Sequence, residues 1–82
     1  MATILYFGKL SSLFGELSEQ APLPSEISDT ATLRKWLDET RGFDGALMHN
    51  SVRVAVNSEI VSDPFPISNA DEIAFLPPVG GG

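Results

Sequence analysis

An 82-residue chain has room for one domain and one modest core; at this size roughly 60–65% of the unfolded surface is buried, without an enclosed cavity for a large cofactor. Eleven acidic residues against five basic ones give a net charge of −6. Such a surface repels nucleic-acid phosphates and anionic lipid, and either suits a partner with a basic docking face or simply keeps a small protein soluble. With no cysteine, a disulfide scaffold, thiolate catalysis and Cys-ligated zinc are excluded.

The opening MATILYFGKL has a short apolar run without a leading positive charge. It is expected to form a first strand over Thr3–Gly8 rather than a signal peptide. Ile4 and Tyr6 then share one face, Leu5 and Phe7 the other. Leu10, Leu13 and Phe14 follow at helical spacing, so Lys9–Phe14 is a short helix or an irregular connection that Gly15 closes. In ELSEQAPLP, Pro22 and Pro24 forbid a central strand, and Leu17–Leu23 is expected at a sheet edge.

The best helical pattern runs from Thr30 to Arg41. Asp29 suits its N-cap and Gly42 its end. Leu33, Trp36, Leu37 and Thr40 recur at i, i+3, i+4 and i+7, predicting one core stripe, with Arg34, Lys35, Asp38 and Glu39 covering the outer side. Trp36 is therefore read as core rather than as a cofactor-stacking platform. Phe43–His49 is expected to hold another short helical turn.

Val52, Val54 and Val56 alternate with Arg53, Ala55 and Asn57, as a half-buried strand does. Asn57-Ser58 turns the chain into Glu59–Val61. Asp63–Pro66 is a loop, Asn69–Asp71 a turn, and Glu72–Leu76 the last strand. Ile73 and Phe75 share one face of it, Ala74 and Leu76 the other.

Strands gathered around one amphipathic helix imply α+β. The compact solution with this order is the β-grasp, or ubiquitin-like, roll: a mixed sheet packed on one main helix. The expected organisation is a β-grasp domain over residues 1–77 and a tail over 78–82. No run reaches the length of a membrane span, and the expected location is the cytoplasm.

Side-chain catalysis finds little support. His49 is the single histidine and has no orienting partner at suggestive spacing. The carboxylates form no metal-ligand pattern; no metal and no bound cofactor is expected. Gly80–Gly82 have no following helix to make a phosphate loop, and no basic aromatic patch suggests nucleic acid.

What stands out is FLPPVGGG. Pro77 and Pro78 fix φ and stop the sheet from recruiting more residues, and Pro77 holds Leu76 extended. Val79–Gly82 then reach roughly 13–14 Å when extended. Glycines lack Cβ, so Gly80, Gly81 and Gly82 can thread a channel too narrow for other residues and leave the terminal carbonyl accessible. On the glycines alone a frayed end is the simpler reading; the Pro-Pro-Val before them favours a working tail.

The segment ADEIAFLPPVGGG resembles the C-terminal signature of the small subunit of molybdopterin synthase, the ubiquitin-like sulfur carrier of molybdenum cofactor biosynthesis. LYFGKL, DTATLRKWL and VAVNSEIV are similar to that family's first strand, helix and Val-Asn segment. The resemblance covers most of the chain and is weakest over 16–28 and 42–51. There are departures. Gly80 stands where threonine is frequent, and Ser11 where some relatives carry arginine. Asn69-Ala70 replaces a turn glycine, and Asn69 is expected to take the positive φ in its place.

The resemblance implies a carrier mechanism whose catalytic groups belong to partners, so that this chain is the non-catalytic, sulfur-donating subunit of a sulfurtransferase complex. An E1-like adenylyltransferase uses ATP and magnesium to adenylate the Gly82 carboxylate. A sulfur donor, itself a sulfurtransferase, converts it to a thiocarboxylate. The tail then enters the large subunit of molybdopterin synthase and gives sulfur to cyclic pyranopterin monophosphate. Phe7, Ile60, Leu76, Pro77 and Pro78 match positions used for docking, and the implied assembly is a heterotetramer. Three other readings remain: a sulfur carrier for thiamine, tungsten cofactor or amino-acid synthesis; a protein modifier joined through Gly82; and a β-grasp interaction domain with an idle tail.

Overall fold

Ala2–Tyr6 form the first strand, β1, in a computed structural model that describes residues 1–78. Its alternation is what the sequence predicts: Ala2, Ile4 and Tyr6 are buried, while Thr3 and Leu5 are half-buried on the opposite face. The strand ends two residues earlier than expected because Gly8 turns the backbone, with φ 55° and ψ −131°. Lys9–Phe14 is a true helix, α1, and Gly15 closes it at φ 93° with its amide donating to the Ser11 carbonyl.

The edge strand is Ser18–Ala21, β2. It pairs antiparallel with β1 and stops before Pro22, where a missing amide ends the ladder.

Thr30–Arg41 forms the main helix, α2. Asp29 caps it by accepting from the Thr32 amide at 2.8 Å. Gly42 ends it in the left-handed conformation. The inward stripe, however, is Thr30, Leu33, Arg34, Leu37 and Asp38, rotated from the expected one. Arg34 and Asp38, assigned to the outer side, are 7% and 9% exposed, whereas Thr40 is exposed and Trp36 half-buried. Asp38 turns inward because it accepts from the amides of Gly45 and Leu47, at 2.8 and 2.9 Å, fixing the 3₁₀ turn Ala46–Met48. Arg34 donates to the carbonyls of Leu47 and Val52 at 3.0 and 2.8 Å and pairs with Asp63 at 2.9 Å. Both polar groups are accepted inside because each finds partners there. Trp36 packs at the core's margin, with the Arg41 guanidinium 5.2 Å from its ring centre.

Arg53–Val56 is β3, Glu59–Val61 β4 and Glu72–Leu76 β5. The sheet order is β2-β1-β5-β3-β4. The central pair β1/β5 is parallel and the other neighbours antiparallel. With α2 supporting one face, this is the β-grasp roll. Asn57 and Ser58 make the β3–β4 turn with φ 51° and 72°. Asn69 does not adopt positive φ among the described residues; its side chain instead accepts from the Leu23 amide at 2.9 Å. The turn into β5 is held by Asp71, which accepts from the Ser68 amide and from Asn57 Nδ2 at 2.7 and 3.0 Å.

Ile4, Tyr6, Leu33, Leu37, Leu47, Val54, Ile73 and Phe75 fill the core between sheet and helix. Tyr6 stacks near Phe14 and Phe43, with ring centres 4.6 and 5.3 Å away.

Candidate functional site

Residues at odd positions on β1 and even positions on β5 face away from α2. The register sets Leu5 beside Ala74, Ala74 beside Ala55, and Ala55 beside Ile60. One step along, Leu76 stands opposite Arg53, and Phe7, whose amide donates to the Phe75 carbonyl at 3.2 Å, follows Leu5 on the same side. One apolar row thus crosses the sheet, and a second runs from Phe7 through Leu76 to Arg53, with no helix over them among the described residues.

Phe7 is 45% exposed and Ile60 59%. Leu76 and Pro77 are half-buried and Pro78 is exposed. Of the five expected docking residues, Ile60, Leu76, Pro77 and Pro78 line one groove, and Phe7 directly follows β1, the strand next to β5, hydrogen-bonded to Phe75. Ala55 is 7% exposed although it lies outside the core cluster; its small side chain is shadowed by its neighbours. Water-facing apolar rows on a sheet carry a standing hydrophobic cost that a docked surface removes. A groove beside these rows is lined by Arg53, Ile60, Asp63, Leu76, Pro77 and Pro78, among others.

The end of β5 is braced from below. Pro77 lies against Gly8, where an added Cβ would come 2.9 Å from Pro77 Cγ. Gly8 thus meets two demands, a positive φ and a close approach. The sequence reading counted it as the last residue of a strand and missed this role. The signal was present: a glycine directly after an apolar strand that pairs with the strand ahead of the prolines.

The strongest ionic cluster lies on the helix side of the sheet. Glu19 accepts from the Tyr6 hydroxyl at 2.6 Å and pairs with Arg41 at 2.7 Å. Burial, reinforced by the Glu19 carboxylate, pushes the Tyr6 hydroxyl well above its ordinary value. Burial alone would raise the Glu19 carboxyl, but hydrogen bonds from Arg41 and Tyr6 outweigh it and hold the group below the usual range. The hydrogen bond to Glu19 raises Arg41 further. Near β5, the Asn57 hydrogen bond and then the Ser68 amide lower the Asp71 carboxyl. These groups secure strands and turns.

His49 is exposed, and its Nδ1 accepts from the Ser51 amide at 3.2 Å and sits 2.6 Å from Ser51 Oγ. Among the described residues no carboxylate orients it, and no group of three or more His, Asp or Glu side chains is placed to hold a metal ion. No helix among them is long and apolar enough to cross a membrane. Val79, Gly80, Gly81 and Gly82, singled out as the threading tail and reactive end, lie outside the described residues.

Comparison with known proteins agrees with this architecture. The ThiS family model matches residues 4–82. The chain is 35% identical to the human molybdopterin synthase sulfur carrier subunit over 83 aligned positions, covering 96% of this chain and 91% of that protein. It is 29% identical to the Escherichia coli K12 protein of the same name, with both chains fully covered. Among solved structures, a putative molybdopterin converting factor subunit 1 from Pyrococcus furiosus superposes with a TM-score of 0.75 at 22% identity, covering 95% of this chain and 97% of that one. A Helicobacter pylori complex of subunits 1 and 2 of molybdopterin-converting factor superposes with a TM-score of 0.67 at 26% identity, covering 99% and 97%.

Proposed function

Because the chain belongs to the ThiS family, we propose that it is the sulfur carrier subunit of molybdopterin synthase, working in the cytoplasm through its C-terminal Gly82. The observation that carries this is the bare apolar face at the root of the tail. Phe7, Ile60 and Leu76 surround the strand that runs into Pro77 and Pro78. Among the described residues no carboxylate orients His49, and the apolar face lies where β5 gives way to Pro77 and Pro78.

The chemistry follows from the carboxylate. It is a poor electrophile until it gains a leaving group. An E1-like enzyme supplies one when the Gly82 carboxylate attacks the α-phosphorus of magnesium-bound ATP and pyrophosphate departs. A sulfide-level sulfur from the donor then attacks the acyl carbon and AMP leaves, giving the thiocarboxylate. That group is anionic at neutral pH and presents a soft sulfur nucleophile. Docked on the large subunit, its sulfur bonds to a carbon of cyclic pyranopterin monophosphate, and water then cleaves the bond between that sulfur and the Gly82 acyl carbon, leaving sulfur on the substrate and the carrier as a carboxylate. Names of the relatives support the reading, as does the complex of subunits 1 and 2 in Helicobacter pylori. The assembly is a heterotetramer, with two carriers on a dimer of large subunits.

The test is an intact mass. After incubation with the activating enzyme, ATP and a sulfur donor, the protein gains the mass difference between sulfur and oxygen, and deletion of Gly82 abolishes the gain. An unchanged mass, with both enzymes active on a control carrier, would refute the carrier chemistry.

A further inference from the structure

The outward face is not electrostatically blank. Glu72, Ala74 and Leu76 share one side of β5. Glu72 is exposed at its start, and Arg53 is exposed opposite Leu76 at its end. Leu76 lies four positions beyond Glu72, roughly 13 Å at the rise of a strand. Read toward Pro77, the face therefore runs from acidic through apolar to basic.

Arg53 is also unusual among the chain's five basic residues. Arg34 is buried against Asp63, and Arg41 is held by Glu19. Lys35 is on the solvent side of α2 and Lys9 on α1. Among the described residues Arg53 makes no ion pair, and it is the cation that the strands turn outward. The groove that Arg53 lines with Leu76, Pro77 and Pro78 also carries Arg34 and Asp63; these two pair at 2.9 Å, which leaves Arg53 as its one arginine without an ion pair among the described residues.

We propose that Arg53 anchors docking: the partner that covers Phe7, Ile60 and Leu76 sets an acidic side chain into this groove, opposite the guanidinium. The proposal rests on the carrier reading and adds to it a specificity-determining residue and the chemistry of its counterpart. Paired charges fix direction as well as strength. A partner turned end for end would bring its acid to Glu72, and like charges brought together at an interface exclude a pose. Arginine suits the task because its planar fork can take both oxygens of a carboxylate. Its place beside the root of the tail means that the docked orientation and the tail's line of entry are set by neighbouring groups.

The experiment measures affinity and association rate between the full chain and the molybdopterin synthase large subunit of the same organism, over a range of salt. The variants are R53A, R53E and R53K. K35E serves as a control, because it makes the same charge change as R53E on an exposed helix. Arg53 is exposed, so far-ultraviolet circular dichroism and Tm should stay unchanged. We expect R53A to bind about fivefold more weakly and R53E more than about tenfold, mainly through slower association and with a shallower salt dependence. R53K should fall between the wild type and R53A, because it keeps the charge and loses the fork, and K35E should change affinity less than about twofold. If R53E binds like the wild type with the same salt dependence, or if R53A binds more tightly, the anchor is refuted while the carrier reading stands. If the wild-type chain does not bind the large subunit at all, the carrier reading itself fails, and the anchor with it.

Discussion

Replacing Gly8 by alanine tests how the end of β5 is braced. Gly8 has φ 55° and ψ −131°, a conformation in which an L side chain costs about 1–3 kcal/mol. The new Cβ would also meet Pro77 Cγ at 2.9 Å. Separating them requires the pyrrolidine ring or the end of β5 to shift, and overpacking of this kind costs about 1–3 kcal/mol more. Gly8→Ala should therefore lose about 2–6 kcal/mol out of a total stability of about 4–12 kcal/mol for a chain of this length. Urea unfolding followed by circular dichroism measures the loss. Pro77→Ala removes Cγ, so the double variant should recover the contact part and keep the conformational part, a coupling of about 1–2 kcal/mol. The same displacement moves Pro77 relative to Phe7 and Leu76, so Gly8→Ala should also weaken docking on any partner that reads those residues together. A loss below about 0.5 kcal/mol would place Gly8→Ala among ordinary surface substitutions and refute the reasoning. Equal losses with and without Pro77→Ala would show that the contact is not the cause.

Arg34→Ala removes the donor to two carbonyls and the partner of Asp63; it should cost about 3–5 kcal/mol in urea unfolding, and Arg34→Lys should recover little because it lacks the fork. Tyr6→Phe deletes a hydrogen bond to a charged acceptor and should cost about 1.5–3 kcal/mol near neutrality. The raised Tyr6 makes the native state hold a proton that the unfolded chain releases. Its contribution is thus complete below the ordinary tyrosine value and lost as pH rises above it, so Tyr6→Phe should flatten the alkaline limb of a pH–stability curve. The lowered Glu19 acts oppositely. Its contribution is complete above its ordinary value of 4.5 and is lost as pH falls from there through the folded-state value; Glu19→Gln should flatten that acid limb. Ile60→Ala, at a position 59% exposed, should change stability by less than about 0.5 kcal/mol yet weaken binding of the large subunit about tenfold in calorimetry.

The strands, the main helix and the sheet edge were legible because each rests on a local rule, whereas Lys9–Phe14 left a short helix and an irregular connection both open. Alternation located β1, β3 and β5, prolines kept β2 at the edge, and Asp29 and Gly42 bounded α2. The rotation of α2 was not legible. Hydrophobic spacing placed Trp36 and Thr40 inward, because residue type alone counts Arg34 and Asp38 as polar. Their partners, the amides of Gly45 and Leu47 and the carbonyls of Leu47 and Val52, become available only once the loop after α2 has folded beneath it. Asn69 failed for a similar reason. Its side chain binds the Leu23 amide, far away in the chain, and no local pattern encodes that choice. The outward positions of Phe7 and Leu76 follow from alternation. The exposure of Ile60, by contrast, depends on β4 being the edge strand next to β3.

The parallel pairing of β1 with β5 at the middle of the sheet also decides how the molecule bears force. Tension drawn between the start of β1 and the end of β5 pulls two parallel neighbours past one another. Their hydrogen bonds then carry the load side by side, in shear, and must yield together. A hairpin pulled apart at its open end surrenders its bonds one at a time. A machine that grips the chain beyond Pro78 therefore loads the toughest seam of the sheet first. The domain should hold its shape under force applied along that direction.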